Sequence, residues 1–481
     1  MDSPQNCRNA GANQFGAAIK VNTGFRVRVV TQVFSGDGLL ARAMRSSALT
    51  VAGFGGSQVL RLASNLVLAR LLFPEAFGIM AIVSVIIQGL MQFSDVGVSP
   101  AIMQSKRGDD PDFLNTAWTI QMMRGLGLWL AACALAWPVA QIYDAPLLLQ
   151  LLPVAGLSLL ITGFNPTRLD SAKRHLRFGR VTAIDFAVQI AGILAAVGLA
   201  WWLQSVWALV ISGLVSALVG LVLYWVFLPG LRNRIMWEKP AAQELVTFGK
   251  WIFLSTICGF LFNQADKLIL GKYLSFSVFG VYNIGFFLAS FPMLLGNMLT
   301  WRLLIPIYRE LPPGESPENF AKLRQMRFAV SLALLALAAL FALLGGWLVG
   351  VMYDDRYEMA GAVVVMMAIM QIPQIIVMTY DQASLAAGDS RRFFILTLAK
   401  AVVMIAALIL GLEWGGLMGA LISYGVAMLF AYPVVVWLAR RMRAWDPLHD
   451  ALMALVGLGI GVLAIKVNLD AVSELARASG W

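Results

Sequence analysis

The chain has little charge for its length. Asp, Glu, Lys and Arg make up 13% of its 481 residues, against about 25% in soluble domains. That scarcity excludes a large water-soluble globule. Histidine is nearly absent, with only His175 and His449, and these lie far apart. The three cysteines, Cys7, Cys133 and Cys258, share no spacing suited to a metal or a disulfide framework. No metal and no cofactor is therefore expected. The sequence also lacks a Walker-type phosphate loop and a suitably placed nucleophile elbow. The loops on the expected outer face are too short to carry catalytic groups, so an enzyme is not expected. The first 43 residues lack the 7–15-residue apolar core of a signal peptide. They read as a cytoplasmic tail without order, or as a start placed too early, with Met44 as the true one.

What the chain has in excess is apolar length. Hydrophobic residues make up 59% of it, and runs of about 20 residues recur, each able to cross a hydrocarbon core of about 30 Å as a helix. A spanning barrel would show short alternating segments instead, so the expected fold is an all-α polytopic membrane protein. Twelve segments lie between Ser47–Leu71 and Gly415–Leu438, with a thirteenth candidate at Ala451–Val467. The net charge of +10 does not point to nucleic acid, because the bases occupy short loops. Loops after even-numbered spans hold eighteen Lys and Arg, from Lys106 to Arg443, and the opposite loops hold little beyond Lys272 and Arg356. This alternation places the N-terminus in the cytoplasm and fixes the count of twelve. The most basic stretch, Arg168–Arg180, reads as a linker obeying the charge rule or as a binder of lipid headgroups or a substrate phosphate.

The sequence repeats itself. Leu68–Ile82 (LARLLFPEAFGIMAI) and Leu270–Ile284 (LGKYLSFSVFGVYNI) align at an offset of 202 residues, and Tyr143-Asp144 is echoed by Tyr353-Asp354. Six spans separate the copies, so both run in the same direction as parallel repeats. The expected organisation is a tail over 1–44, a first lobe over 45–230, a cytoplasmic inter-lobe loop over 231–244, a second lobe over 245–440 and a C-terminal segment over 441–481. Two such bundles facing each other enclose a central cavity.

Polar residues fall at helical spacing where that cavity would need them. Ser57, Gln58, Arg61, Ser64 and Asn65 share a face of span one. Thr256, Gly259, Asn263 and Asp266 do so on span seven, and Gln88, Gln92, Asp95 and Ser99 on span two, with Ser290 and Asn297 matching in the second copy. Ionisable groups within a span are costly and by default suggest function. Arg61, Arg124 and Lys400 lie near mid-span; each either lines the cavity or forms a structural pair such as Asp95 with Arg124. Lys250 either joins them or snorkels to the interface, and Lys267 and Lys272 are expected to reach the far interface. Asp95, Asp266 and Asp381 are candidates for ion coupling or gating. Surplus cations in a wet cavity suit an anion, with phosphate or diphosphate the natural choice and uronic or sialic acids able to use the same charges.

The motifs LARLLFPEAFG, DKLILGKYL followed by FGVY, and FSDVGV at Phe93–Val98 resemble the bacterial polysaccharide-transporter (oligosaccharide flippase) family of the multidrug/oligosaccharidyl-lipid/polysaccharide exporter superfamily. The resemblance covers about residues 45–440. It implies movement of an undecaprenyl-diphosphate-linked oligosaccharide from the cytoplasmic to the periplasmic leaflet of the bacterial inner membrane, for capsule, exopolysaccharide or O-antigen assembly. It also implies membrane lipids, a coupling H⁺ or Na⁺ and polymerase or chain-length machinery as partners. Arg61, Arg124, Lys250 and Lys400 map onto the cationic cavity it implies only by span and depth. The alternative within the superfamily is a cation-coupled drug exporter, which would want carboxylates at the cavity centre.

Overall fold

The computed structural model describes residues 39–94, 97–300, 304–381, 383–387 and 389–479, with side chains described outside 39–52, 246–255, 385 and 390. The first lobe contains α1 (Leu39–Leu71), α2 (Pro74–Phe93), the short α3 (Val98–Gln104), α4 (Pro111–Ile142), α5 (Leu148–Gly163), α6 (Arg168–Arg174), α7 (Phe178–Leu203) and α8 (Trp207–Phe227). The second contains α9 (Lys239–Tyr273), α10 (Phe276–Ala289), α11 (Phe291–Leu299), α12 (Ile305–Glu310), α13 (Pro317–Met352), α14 (Glu358–Met370), α15 (Ile372–Asp381), α16 (Ala383–Ala386) and α17 (Ser390–Arg441). α18 (Pro447–Val467) and α19 (Leu469–Ala478) complete the chain, and no strand occurs among the described residues.

Seven of these helices are long and apolar enough to cross a membrane, and ten segments qualify if each bent pair is one span. α1 and α9, with 33 and 35 residues, are long enough but carry the polar faces that lower their apolarity. α17 holds two spans, because Gly415 and Gly416 leave the helical region, Gly416 at φ 51° and ψ −136°. The arms fold back on each other, as the Ser423 hydroxyl donating to the Ala407 carbonyl at 2.7 Å requires. Only glycine adopts the Gly416 backbone readily.

Several spans expected as single rods are broken. The second bends after Ser94 through left-handed Gly97 (φ 68°) and restarts as α3. The eighth kinks by 44° between α10 and α11, and the tenth by 45° between α14 and α15. Pro292 and Pro373 sit at the restarts and cannot donate the N–H that would continue the preceding helix. The inter-lobe segment also differs from the loop expected over 231–244. α9 begins at Lys239, with Pro240 in its first turn. The extended stretch before it is stitched to the start of α4: the N–H groups of Arg234, Met236 and Glu238 donate to Asn115 Oδ1, Thr119 Oγ1 and Thr116 Oγ1 at 3.0, 3.1 and 3.0 Å. Alternate N–H groups point the same way in an extended chain, so three polar side chains on one helix satisfy them all.

The thirteenth segment is a full helix that starts four residues earlier than expected, capped by Asp446. Its first turn buries a polar network. Arg324 grips Asp446 with two bonds of 2.5 and 2.9 Å, and Asp450 accepts from Tyr380 at 2.7 Å and Tyr432 at 2.8 Å. His449 sits against Asp450 and Ser331 at 3.0 Å each. Fully buried Arg327 lies over the Tyr380 ring at 4.3 Å and donates to the Ala444 carbonyl and the Tyr308 hydroxyl. The Arg324–Asp446 ion pair and the bonds made by His449 and Asp450 fasten α18 into the second lobe. The stretch expected as a polar tail forms amphipathic α19, with Val472 and Leu475 buried.

The largest apolar core joins the two lobes at the end away from the basic loops, where Leu68 and Leu72 of α1 meet Leu270 of α9, Phe279 and Tyr282 of α10, and Tyr357. Below it lies a polar space between the lobes, and at the basic end a smaller apolar cluster joins α3 and α4 to the start of α9.

Candidate substrate cavity

A cavity of about 600 Å³ lies between α1 and α2 of the first lobe and α9, α10 and α11 of the second. Such a volume is typical of ligand sites, but the lining is unusually polar. Arg61 and Asn65 enter from α1, Ser84, Gln88 and Gln92 from α2, Asn263, Gln264 and Lys267 from α9, and Asn283, Ser290 and Asn297 from α10, α11 and the kink between them. Phe260, Phe286 and Phe287 supply apolar faces, and no carboxylate lines the cavity among the described residues.

The two cations come one from each lobe. The Arg61 guanidinium lies 5.2 Å from the Phe287 ring centroid. The Lys267 ammonium lies 5.4 Å from that of Phe286 and donates to Gln264 Oε1 at 2.9 Å. Gln264 donates in turn to Gln88 Oε1 at 3.2 Å, a hydrogen bond between the lobes. Asn263 and Asn283 each spend one donor on the carbonyl a turn back, Gly259 at 2.6 Å and Phe279 at 2.7 Å. Their remaining amide groups stay available. This arrangement can offer charge-assisted donors to an anion, and amide donors and acceptors to a hydroxyl-rich molecule.

The structure brings together seven of the residues expected on the cavity faces, Arg61, Asn65, Gln88, Gln92, Asn263, Ser290 and Asn297, in this one lining. Others stand elsewhere. Gln58 is half-buried outside the lining, and its neighbour Ser57 donates to Gln189 of α7 at 2.7 Å. Arg124 does not line the cavity: it donates to Ser94 Oγ at 2.8 Å and to the Met91 carbonyl at 2.7 Å, closing the end of α2. A guanidinium is suited to this, because the last carbonyls of a helix lack intrahelical partners. Lys400 is buried and ion-paired with Asp381 at 2.6 Å. Asp266 is buried behind the lining and accepts from the Tyr282 hydroxyl at 2.8 Å. Ser99 leaves the cavity face with α3 and donates to Asp170 at 2.6 Å. Asp95 and the Lys250 side chain lie outside the described residues.

Lys267, expected at the interface, turns into the cavity instead. Its position near the end of a span suggested an exit, but it lies one turn from Asn263, and that i, i+4 spacing puts both on one face. Ser84, Gln264 and Asn283 were the other polar lining residues not anticipated.

The basic stretch Arg168–Arg180 is largely committed to structure. Arg168 is buried and donates to the carbonyls of Leu231, Trp225 and Leu228, closing α8. Arg174 donates to those of Ile102, Met103 and Ser105, closing α3. His175 meets Asp109 at 2.8 Å, and that contact holds the Asp109 carboxyl below its usual range.

Comparison with known proteins agrees with this architecture. The lipopolysaccharide biosynthesis protein WzxC of Escherichia coli (strain K12) is 23% identical over 250 residues, 51% of this chain and 50% of that protein. The succinoglycan biosynthesis transport protein ExoT of Rhizobium meliloti (strain 1021) is 25% identical over 249 residues, 51% of this chain and 49% of that one. The match thus spans about half the length of each of these relatives. Among solved structures, the lipid II flippase MurJ in an inward closed conformation superposes with a TM-score of 0.61 at 11% identity, covering 88% of this chain and 99% of that one. An inward-facing multidrug resistance MATE family transporter of the MOP superfamily does so with a TM-score of 0.56 at 14% identity, covering 81% and 95%. These two identities speak for the fold alone: helical transporters built of two six-helix repeats. The family described as polysaccharide biosynthesis protein matches residues 67–362, more than half of the chain. This multi-pass membrane protein therefore belongs to that family.

Proposed function

We propose that the chain is an alternating-access flippase that carries an undecaprenyl-diphosphate-linked oligosaccharide from the cytoplasmic to the periplasmic leaflet of the bacterial inner membrane. One observation carries the reading: a cavity between two repeat-related lobes with two cations, seven side-chain amides and no carboxylate among its described lining. The cations attract the diphosphate and the amides match sugar hydroxyls. The name of ExoT as a transport protein and of MurJ as a lipid II flippase favours the same class over an enzyme. The charge rule favours the basic end as the cytoplasmic one. A cation-coupled drug exporter has the fold in its favour, but it would want acidic groups where Arg61 and Lys267 stand. A coupling ion and a polymerase partner remain part of the proposal, without residues assigned to either.

The test is genetic and chemical. Deleting the gene, with no redundant transporter present, should leave lipid-linked repeat units in the cytoplasmic leaflet, where a membrane-impermeant glycan probe added outside cannot reach them. Restoring the gene with Arg61→Ala or Lys267→Ala should recover at most about a tenth of the export at normal protein level, since one charge-assisted contact is worth about 1.5–3 kcal/mol. Export that is undiminished after deletion would refute the function. Full export by both variants would remove the cations from the site.

A further inference from the structure

At the end of the bundle away from the basic loops, α2 of the first lobe crosses α10 of the second, backbone against backbone. Gly78 and Gly280 meet there, both buried. A carbon added to Gly78 would run into the Phe276 carbonyl and lie 3.2 Å from the Gly280 nitrogen; one added to Gly280 would run into the Pro74 carbonyl and lie 3.2 Å from the Gly78 nitrogen. These contacts mirror each other, because Pro74 and Phe276, like Gly78 and Gly280, are separated by the 202-residue offset of the repeat. The crossing therefore lies on the axis relating the lobes. It also lies directly over the cavity, whose lining includes Phe77 and Ala81 on α2 and Asn283 on α10.

A second layer of contacts surrounds the crossing. Lys272 of α9 pairs with Asp144 at 2.7 Å, and the Tyr143 hydroxyl donates to the Leu268 carbonyl at 2.9 Å. On the other side Arg356 pairs with Asp354 at 2.5 Å and reaches the Ala69 and Arg70 carbonyls at 3.2 and 3.4 Å, while the Tyr357 hydroxyl donates to the Leu72 carbonyl at 3.3 Å. Asp144 and Asp354 are the repeated acids of the two Tyr-Asp pairs. Arg356 holds the Asp354 carboxyl below its usual range, so this side stays charged near neutral pH.

We propose that the Gly78–Gly280 crossing is the external gate of transport, the two glycines acting as positioning residues that let the lobes seal the cavity from the periplasm, with Asp144–Lys272 and Arg356 as its latch. The proposal rests on the flippase reading for what passes through the gate. The physical reason is closeness: small residues let helix backbones touch in a membrane, and each added carbon would meet a backbone carbonyl, which no rotamer change can move aside. A bulky residue at either position must part the lobes here.

The test uses the full chain in membranes, with its three cysteines changed to serine. A cysteine pair, Asp144→Cys with Lys272→Cys, reports closure by disulfide yield. In a separate variant Ala81→Cys reports access to the cavity from the periplasmic face, through labelling by a membrane-impermeant maleimide. With glycine at both positions the pair should cross-link in high yield and Ala81→Cys should stay protected. Gly78→Leu or Gly280→Leu should cut the yield and raise the labelling at least about fivefold each, as overpacking shifts the closed population. Gly127→Leu, where an added carbon meets nothing within 4 Å, should change neither. Parent-like yield and protection in both leucine variants would overturn the gate. Should those variants fail to reach the membrane, the disulfide alone decides: oxidation should stop transport and reductant restore it, and undiminished transport while locked would overturn the proposal. Cross-linking and labelling need no substrate. If they follow expectation while the deletion strain exports normally, the flippase reading falls and the gate stands.

Discussion

Among the cations at mid-span, position along the helix and chemical task separate. Arg61 meets no carboxylate among its described partners and faces the cavity, whereas Arg124 closes the end of α2 and Lys400 is bound to Asp381 at 2.6 Å. All three were equally conspicuous in the sequence, because a charge within an apolar run looks the same whether it faces a cavity, a carbonyl or an acid. The buried pair gives a sharp expectation. Lys400→Met alone leaves the Asp381 carboxylate without its counter-charge and should cost about 3–5 kcal/mol, whereas Lys400→Met with Asp381→Asn should recover most of that loss, as for other buried pairs. Thermal unfolding in detergent measures both. If the double variant transports normally once refolded, neither residue couples an ion to transport; this readout is separate from stability.

At the level of elements, the inter-lobe segment shows how a stretch that reads as a loop becomes part of a lobe. Its three bonds to Asn115, Thr116 and Thr119 involve buried acceptors, and a buried N–H left unpaired costs about 1–3 kcal/mol. Thr116→Val with Thr119→Val removes two of the acceptors while keeping the shape. Limited trypsin digestion should then cut at exposed Arg232 and Arg234 several-fold faster than in the parent, because cleavage tracks how often the segment opens. An unchanged rate would mean that the bonds do not hold the segment down. The kinks at Pro292 and Pro373 were not anticipated, because proline alone does not mark a break: Pro138, Pro153 and Pro433 lie inside helices that continue through them. The fold-back in α17 was legible, because Gly415-Gly416 separates the two apolar runs. The bend at Gly97 was not anticipated: a single glycine inside an apolar run is tolerated in many helices, and only the packing of α3 against α6 and α4 requires the left-handed turn.

Across the whole molecule, the 202-residue offset relates not only the glycine crossing but the cavity. Arg61 matches Asn263 and Asn65 matches Lys267, so each lobe presents one cation and one amide, with the order exchanged by a turn. Moving the first cation by that turn is therefore a test of how the lobes share the load. Arg61→Asn should reduce export by at least about tenfold, and Arg61→Asn with Asn65→Lys should regain part of it, because the second lobe already uses that turn for Lys267. No recovery at normal protein level, read by the same leaflet assay, would mean that the lobes do not work as equivalent halves.

The sequence by itself determined the membrane, the number of core segments, the parallel repeat and the faces that carry Arg61, Asn65, Asn263 and Asn297. These follow from local quantities: apolar run length, the sign of loop charge and the 3.6-residue period act within one segment and need no neighbour. Tertiary structure alone decided that Arg124 and Lys400 are held by the protein, that Lys267 turns inward, that α18 is fastened by a buried network, and that Gly78 meets Gly280. Each depends on what another helix places opposite, and in a chain whose helices are apolar almost all round, the period does not say which partner that is.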